Sequence, residues 1–203
     1  MASSFEIKST RPSVGETIVT IVRDHIDYRK QIFKLAGSDL RRTYRASALG
    51  WSWAIIKPLV TIFVYWFAFA IGLRRGGDIE GYPFVLWLIS GIVPWFYMSE
   101  MLTLGTECIL RNRYLVTKMK YPVSTIPTFT SISKFSVHLI LMVITILIFV
   151  ITGNELTIYL VQLPFYMLCN FLFFTGWAMF AATIAAISTD FSNLGKSFVT
   201  AEV

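Results

Sequence analysis

Ser192-Asn193-Leu194-Gly195-Lys196-Ser197 ends in G-K-S, the close of a phosphate-binding loop. That loop needs G-x-x-x-x-G-K-[ST], whose glycines let backbone N–H groups cradle phosphates. Asp190 stands where the first glycine belongs, and its carboxylate repels phosphate. The segment also follows an apolar run rather than a strand, so no ATPase is expected on this chain. Glu100 and Glu107 are seven residues apart on one helical face. They have the types for acid-base work, or they pair with Arg111, Arg113 or the membrane interface. His25 and His138 are isolated. His138 lies in an apolar run, where an ionisable residue is a functional candidate; the plainer reading is a neutral ring hydrogen-bonded to a neighbouring helix. Cys108 and Cys169 have no partners at metal spacing, so neither a disulfide framework nor a zinc site is implied. No nucleophile-base pair and no dinucleotide fingerprint occur, and no metal site is expected.

Aromatic and basic residues carry more information. Tyr65, Trp66, Phe67 and Phe69 crowd one apolar run; Tyr82, Trp87, Trp95, Phe96 and Tyr97 crowd the next. Sugars stack on aromatic faces, while lipid-facing packing and interfacial belts also collect aromatic rings and need no ligand; composition leaves both readings open. Arg111 to Pro122 is amphipathic, with apolar Tyr114, Leu115 and Met119 among Arg111, Arg113, Lys118 and Lys120. A short helix of this kind docks into a groove on a partner or lies on anionic headgroups.

These residues sit on a predominantly apolar scaffold. Of 203 residues, 55% are hydrophobic and only 15% charged, against roughly 45–50% and about 25% in soluble domains. The mean hydropathy is +0.63 and the sequence pI about 9.4. Apolar runs predict membrane spans at about 54–73, 84–104, 126–151 and 156–187, each long enough for the ~20 residues a helix needs. The last is read as one long tilted helix beginning at the interface up to Pro164. Pro94 is expected to kink the second span. Arg74–Pro83 reads as a tight connection.

Residues 1–50 read as an amphipathic N-terminal region, and 51–203 as the transmembrane domain with a loop at 105–125. Met1–Pro12 lacks a secretory signal's apolar core. Ser13 and Glu16 form a capping box. Val14–Leu40 then carries an apolar stripe and is expected to lie in the membrane interface, or to pack on a partner domain. Gly37 and Ser38 are expected to break it, with Asp39 capping a second helix that carries Arg41, Arg42 and Arg45. Fourteen basic residues fall on the side of the N-terminus, the 105–125 loop and the tail, against Arg74 and Arg75 opposite. The positive-inside rule then makes both termini cytoplasmic. It also accounts for the +6 net charge without nucleic acid.

Three stretches together resemble a family. Tyr44-Arg45-Ala46-Ser47-Ala48-Leu49-Gly50-Trp51-Ser52-Trp53, continued to Pro58-Leu59, resembles the approach to the first span in type-2 ABC exporters of cell-surface polysaccharide. Gly91-Ile92-Val93-Pro94-Trp95-Phe96 is similar to the G-x-x-P-W-F of their second span. Asn112 to Pro122 is similar to their coupling-helix region. The S-A-L-G-W-S-W and V-T-K-M-K-Y-P wording looks most like teichoic-acid permeases, with O-antigen (lipopolysaccharide) permeases close behind.

The resemblance implies an all-α polytopic bundle in the cytoplasmic membrane, working as a homodimer with a separate cytoplasmic ABC ATPase subunit that holds ATP and Mg. This chain itself would be no enzyme and would carry no cofactor. The cargo implied is a polyprenyl-pyrophosphate-linked polysaccharide. Arg111, Arg113, Tyr114, Leu115, Lys118, Met119 and Tyr121 would couple to the ATPase. Arg41, Arg42 and Arg45 would sit where the lipid-linked head group enters, and Tyr65, Trp66, Trp87, Trp95 and Phe96 would line the glycan path. The family has six spans; four are readable here. The chain is therefore expected to lack the last two, as a fragment or a truncated product. Thr189 stands where the family has arginine before Asp190. The alternatives are a type-2 exporter of a small hydrophobic drug or lipid, and a membrane-embedded transferase.

Overall fold

The computed structural model describes residues 13–45, 49–72, 79, 81–154 and 157–201. The polar N-terminus Met1–Pro12, the motif residues Ala46–Ala48 and the pair Arg74 and Arg75 lie outside the described residues. Helix α1 (Val14–Asp27) begins on the expected capping box: the Ser13 N–H donates to Glu16 Oε2 at 2.9 Å. Ile18, Val19, Val22 and Ile26 form an exposed apolar strip, and no α1 residue is buried. Such a face suits a membrane interface. Two polar ties hold the other side. Ser124 donates to Asp24 Oδ2 at 2.8 Å, and the His25 ring bonds Thr128 at 2.8 Å and the Ile21 carbonyl at 2.7 Å. His25 is thus a structural clamp.

The helix break falls at Tyr28, not at Gly37-Ser38. Helix α2 (Arg29–Tyr44) runs straight through that pair, and Asp39 is inside the helix rather than capping one. Packing overrides the local signals here. Ile32 and Ala36 are buried one turn apart in a cluster with Cys108, Leu115, Ile126, Phe129 and Ala182. At the break the Tyr28 ring meets Tyr121 edge-on, with centroids 5.5 Å apart.

Four helices are long and apolar enough to cross a membrane: Gly50–Phe69, Phe84–Gly105, Val123–Ile151 and Ile158–Ile187. Their regular parts are α3 (Trp53–Trp66), α4 (Phe84–Glu100), α7 (Ile126–Ile151) and α8 (Leu163–Ile187). α3 and α4 each end in a π-helical turn, Phe67–Gly72 and Met101–Gly105. α7 and α8 each carry proline in their first turn, where its missing N–H costs no hydrogen bond. A short 3₁₀ segment, Ile158–Gln162, leads into α8, so residues 158–187 form one span. Between α3 and α4, Ile79 and Tyr82 exchange two backbone hydrogen bonds of 2.9 Å around Gly81 at φ +85. That turn needs glycine's freedom at positive φ. The fold is an all-α polytopic bundle, with no strand among the described residues.

In lipid there is little hydrophobic drive between helices, so small residues and polar ties hold them. Ala178, Ala181, Ala182 and Ala185 of α8 are fully buried. Gly105 opposes Ala178 so closely that an added Cβ would lie 3.3 Å from the alanine Cβ. Tyr97 Oη and Ser131 Oγ share a 2.8 Å hydrogen bond, and Ser131 Oγ and Thr175 Oγ1 another of 2.7 Å. This chain of hydroxyls joins α4, α7 and α8 in the bilayer.

Candidate functional site

The loop after the second span folds as two short helices, α5 (Cys108–Arg111) and α6 (Arg113–Met119), with a break at Asn112. Asn112 is buried and donates its side-chain N–H to the Cys108 carbonyl at 2.9 Å. Lys120 closes α6 in the left-handed region at φ 50. Leu115 is 2% exposed and packs into the cluster of Ile32, Ala36 and Phe129. Tyr121 is half-buried against Tyr28, and burial raises its hydroxyl pKa. Leu115 and Tyr121 therefore fix this loop to the bundle, and do not belong to its outer face. Tyr114 (45% exposed), Met119 (67%) and the exposed Arg111, Arg113 and Lys118 make up that face. Burial pushes the Cys108 thiol up to about 12, so it is inert.

Glu100 and Glu107 do not act together, and neither forms an ion pair with Arg111 or Arg113. Glu107 pairs with Lys196 and accepts from Ser192 Oγ at 2.6 Å, both on α9 (Thr189–Ala201). Burial alone would lift its pKa. The Lys196 and Ser192 hydrogen bonds, with the Lys196 and Arg111 charges, outweigh burial and hold the carboxyl below its usual range. The G-K-S segment is thereby helical, with Lys196 engaged by a carboxylate. Gly195 is there for close approach: an added Cβ would come 3.3 Å from the Leu102 carbonyl.

Glu100 instead receives Lys134 Nζ at 3.5 Å. Lys134 is on α7 inside the third span and only 4% exposed. It lines a cavity of about 170 Å³ with Lys57, Tyr97, Glu100 and His138. His138 stacks on Tyr97 at 5.4 Å, and its Nδ1 has no partner in the protein. The sequence reading passed over Lys134. Its signal was a single cation in a long apolar run, which marks a functional candidate in its own right.

Thr61, Phe96 and Ser99 line both this cavity and a second, larger cleft of about 950 Å³ between α3 and α4, which Val199 of α9 also lines. Tyr65, Trp87, Trp95 and Phe96 all line that cleft, beside Phe69 and Phe84. Four of the five expected path aromatics thus converge. Trp66 is not among the cleft's lining residues and has its ring 5.9 Å from Phe63. Arg41, Arg42 and Arg45 are exposed at the end of α2 and line neither cavity; Arg42 lies near Asp39 and Tyr114.

Residues 30–201 match the family described as ABC-2 type transporter. A similar protein is the O-antigen export system permease protein RfbA of Myxococcus xanthus, 26% identical over 186 residues, which cover 90% of this chain and 69% of that protein. A protein of the same name from Klebsiella pneumoniae is 28% identical over 93 residues, 46% of this chain and 34% of its own length. With the family match running through all four spans and the 105–125 loop, the chain belongs to the ABC-2 type transporter membrane family and is a transporter permease subunit.

Proposed function

We propose that this chain is the membrane permease half of an ATP-driven exporter that moves a lipid-linked polysaccharide of O-antigen type outward across the cytoplasmic membrane. The observation that carries the reading is a pair of neighbouring cavities: an aromatic cleft suited to sugar faces shares Thr61, Phe96 and Ser99 with a charged pocket inside the membrane. The O-antigen export names of similar proteins support the polymer class; they favour it over the teichoic-acid wording of the sequence motifs. The N-terminus, the loop with α5 and α6, and α9 lie on the cytoplasmic side, where fourteen basic residues concentrate.

ATP and Mg belong to a separate cytoplasmic ATPase, and two copies of each subunit assemble. The exposed face of α5 and α6 enters a groove of that ATPase, with Tyr114 and Met119 as apolar anchors and Arg111, Arg113 and Lys118 around them. Arg41, Arg42 and Arg45 attract the anionic head group toward the membrane surface. The test is deletion of the coding sequence followed by analysis of surface polysaccharide. Loss of the surface polymer with intracellular build-up of lipid-linked glycan is expected, as is co-purification of an ATPase. A normal surface polymer with altered drug sensitivity overturns the reading in favour of a small-molecule exporter.

A further inference from the structure

Lys134 is buried among α3, α4 and α7 with one carboxylate partner at the limit of hydrogen-bonding distance. An ammonium has three donors, so this contact leaves most of its capacity unused in a low-dielectric site. His138 presents the same signature: 3% exposed, lining the cavity, with an unpartnered Nδ1. Lys57 adds a second cation to the lining, against the single carboxylate Glu100. The lining thus sets two lysines against one carboxylate. About 170 Å³ gives room for several waters or a small anion. The site stands roughly two turns inside α7 from its basic-side end and shares Thr61, Phe96 and Ser99 with the lining of the aromatic cleft.

We infer that this cavity binds the diphosphate of a lipid-linked substrate, with Lys134 and Lys57 gripping phosphate oxygens while Glu100 holds Lys134 in place when the site is empty. The assignment rests on the export reading for the identity of the lipid; the anion site itself rests on the cavity alone. Diphosphate here sets the sugar nearest the lipid against Trp95 and Phe96, so the two cavities divide one substrate between charge and stacking. Arg41, Arg42 and Arg45, exposed and outside the cavity lining, then serve for capture only.

The experiment measures binding of radiolabelled polyprenyl diphosphate to the full-length permease with its ATPase in nanodiscs. Inorganic diphosphate is the competitor. Lys134→Met is expected to weaken binding at least about 10-fold, the scale of a lost charge-assisted contact. Lys134→Arg, which keeps the charge, should stay within about 3-fold, and Glu100→Gln, which removes the competing carboxylate, should bind as tightly as the parent or tighter. If Lys134→Met misfolds, Glu100→Gln with Lys134→Met leaves no unpaired buried charge and should fold without binding. Inorganic diphosphate should displace the lipid; failure to compete overturns the headgroup assignment. Parental binding by a folded Lys134→Met protein, or equal losses in Glu100→Gln and Lys134→Met, reduces the pair to a structural tie and overturns the site. The export reading fails separately, through normal surface polysaccharide in the deletion strain, whatever the nanodisc result.

Discussion

The two halves of the bundle are built differently. On the α7–α8 side, alanines and Gly105 bring backbones together and a hydroxyl chain crosses three helices. On the α3 side, only Ala54 and Ile62 of α3 are buried, against eleven residues of α7 and six of α8. Ile62 of α3 packs on Ile89 and Val93 of α4, but beside that contact the two helices leave a cleft of about 950 Å³. The first half has the character of a scaffold, and the second that of a working surface. Chemistry collects at the seam, where α7 supplies Lys134 and His138 and α3 and α4 supply Lys57 and Glu100.

The contrast breaks first if the scaffold tolerates bulk. Ala178→Leu puts three extra carbons where the side chain has no free surface and Gly105 is already close. A loss of about 1–3 kcal/mol is expected, read as a lower melting temperature in detergent; unchanged melting refutes tight packing there. The next effect is on the outer face of α6. Tyr114→Asp with Met119→Asp should leave melting unchanged and weaken ATPase association by about 2 kcal/mol, close to 30-fold. Retained association in a pull-down removes these two residues from docking. Leu115→Asp is the wrong test, because it buries a charge in the scaffold. Smaller again is the cleft. Trp87 is 55% exposed, so Trp87→Ala should hold stability within ~0.5 kcal/mol. Export should fall several-fold, from about 1 kcal/mol of lost aromatic contact, as measured by the rate of surface polymer appearance.

The same contrast decides what the sequence could reveal. The four spans were legible because hydropathy over some 20 residues is a local property. The capping box and the amphipathic strip of α1 were legible for the same reason, being read within one helix. Aromatic crowding in the first two spans was legible too, but the meeting of Tyr65, Trp87, Trp95 and Phe96 at one cleft, with Trp66 outside its lining, was not, because it depends on how α3 and α4 pack. What failed was long-range. Gly37-Ser38 looked like a breaker, but Ile32 and Ala36 packing on α7 outweighs a propensity cost of about 1 kcal/mol. Leu115 looked like an anchor for a partner, but its partner is the same chain. Glu100 and Glu107 looked like a pair; their true partners, Lys134 and Lys196, are 34 and 89 positions away.

The smallest effect tests where the scaffold reaches the tail. Glu107 joins the end of the second span to α9 through Lys196 and Ser192. Its folded pKa lies below the unfolded value. A depressed carboxylate contributes stability that is fully present above the unfolded pKa and is lost as pH falls through the folded one. The docking of α9 should therefore be constant at neutral pH and loosen only below the ordinary glutamate range. Hydrogen exchange of α9 amides is the measurement. Protection should drop on acidification in the parent. Glu107→Gln should show reduced protection already at neutral pH and little further change with acid. With Glu107 partly exposed and Lys196 half in solvent, the difference should be no more than about 1 kcal/mol. An acid response that persists in Glu107→Gln places the switch on another carboxylate and detaches α9 from the scaffold half of the molecule.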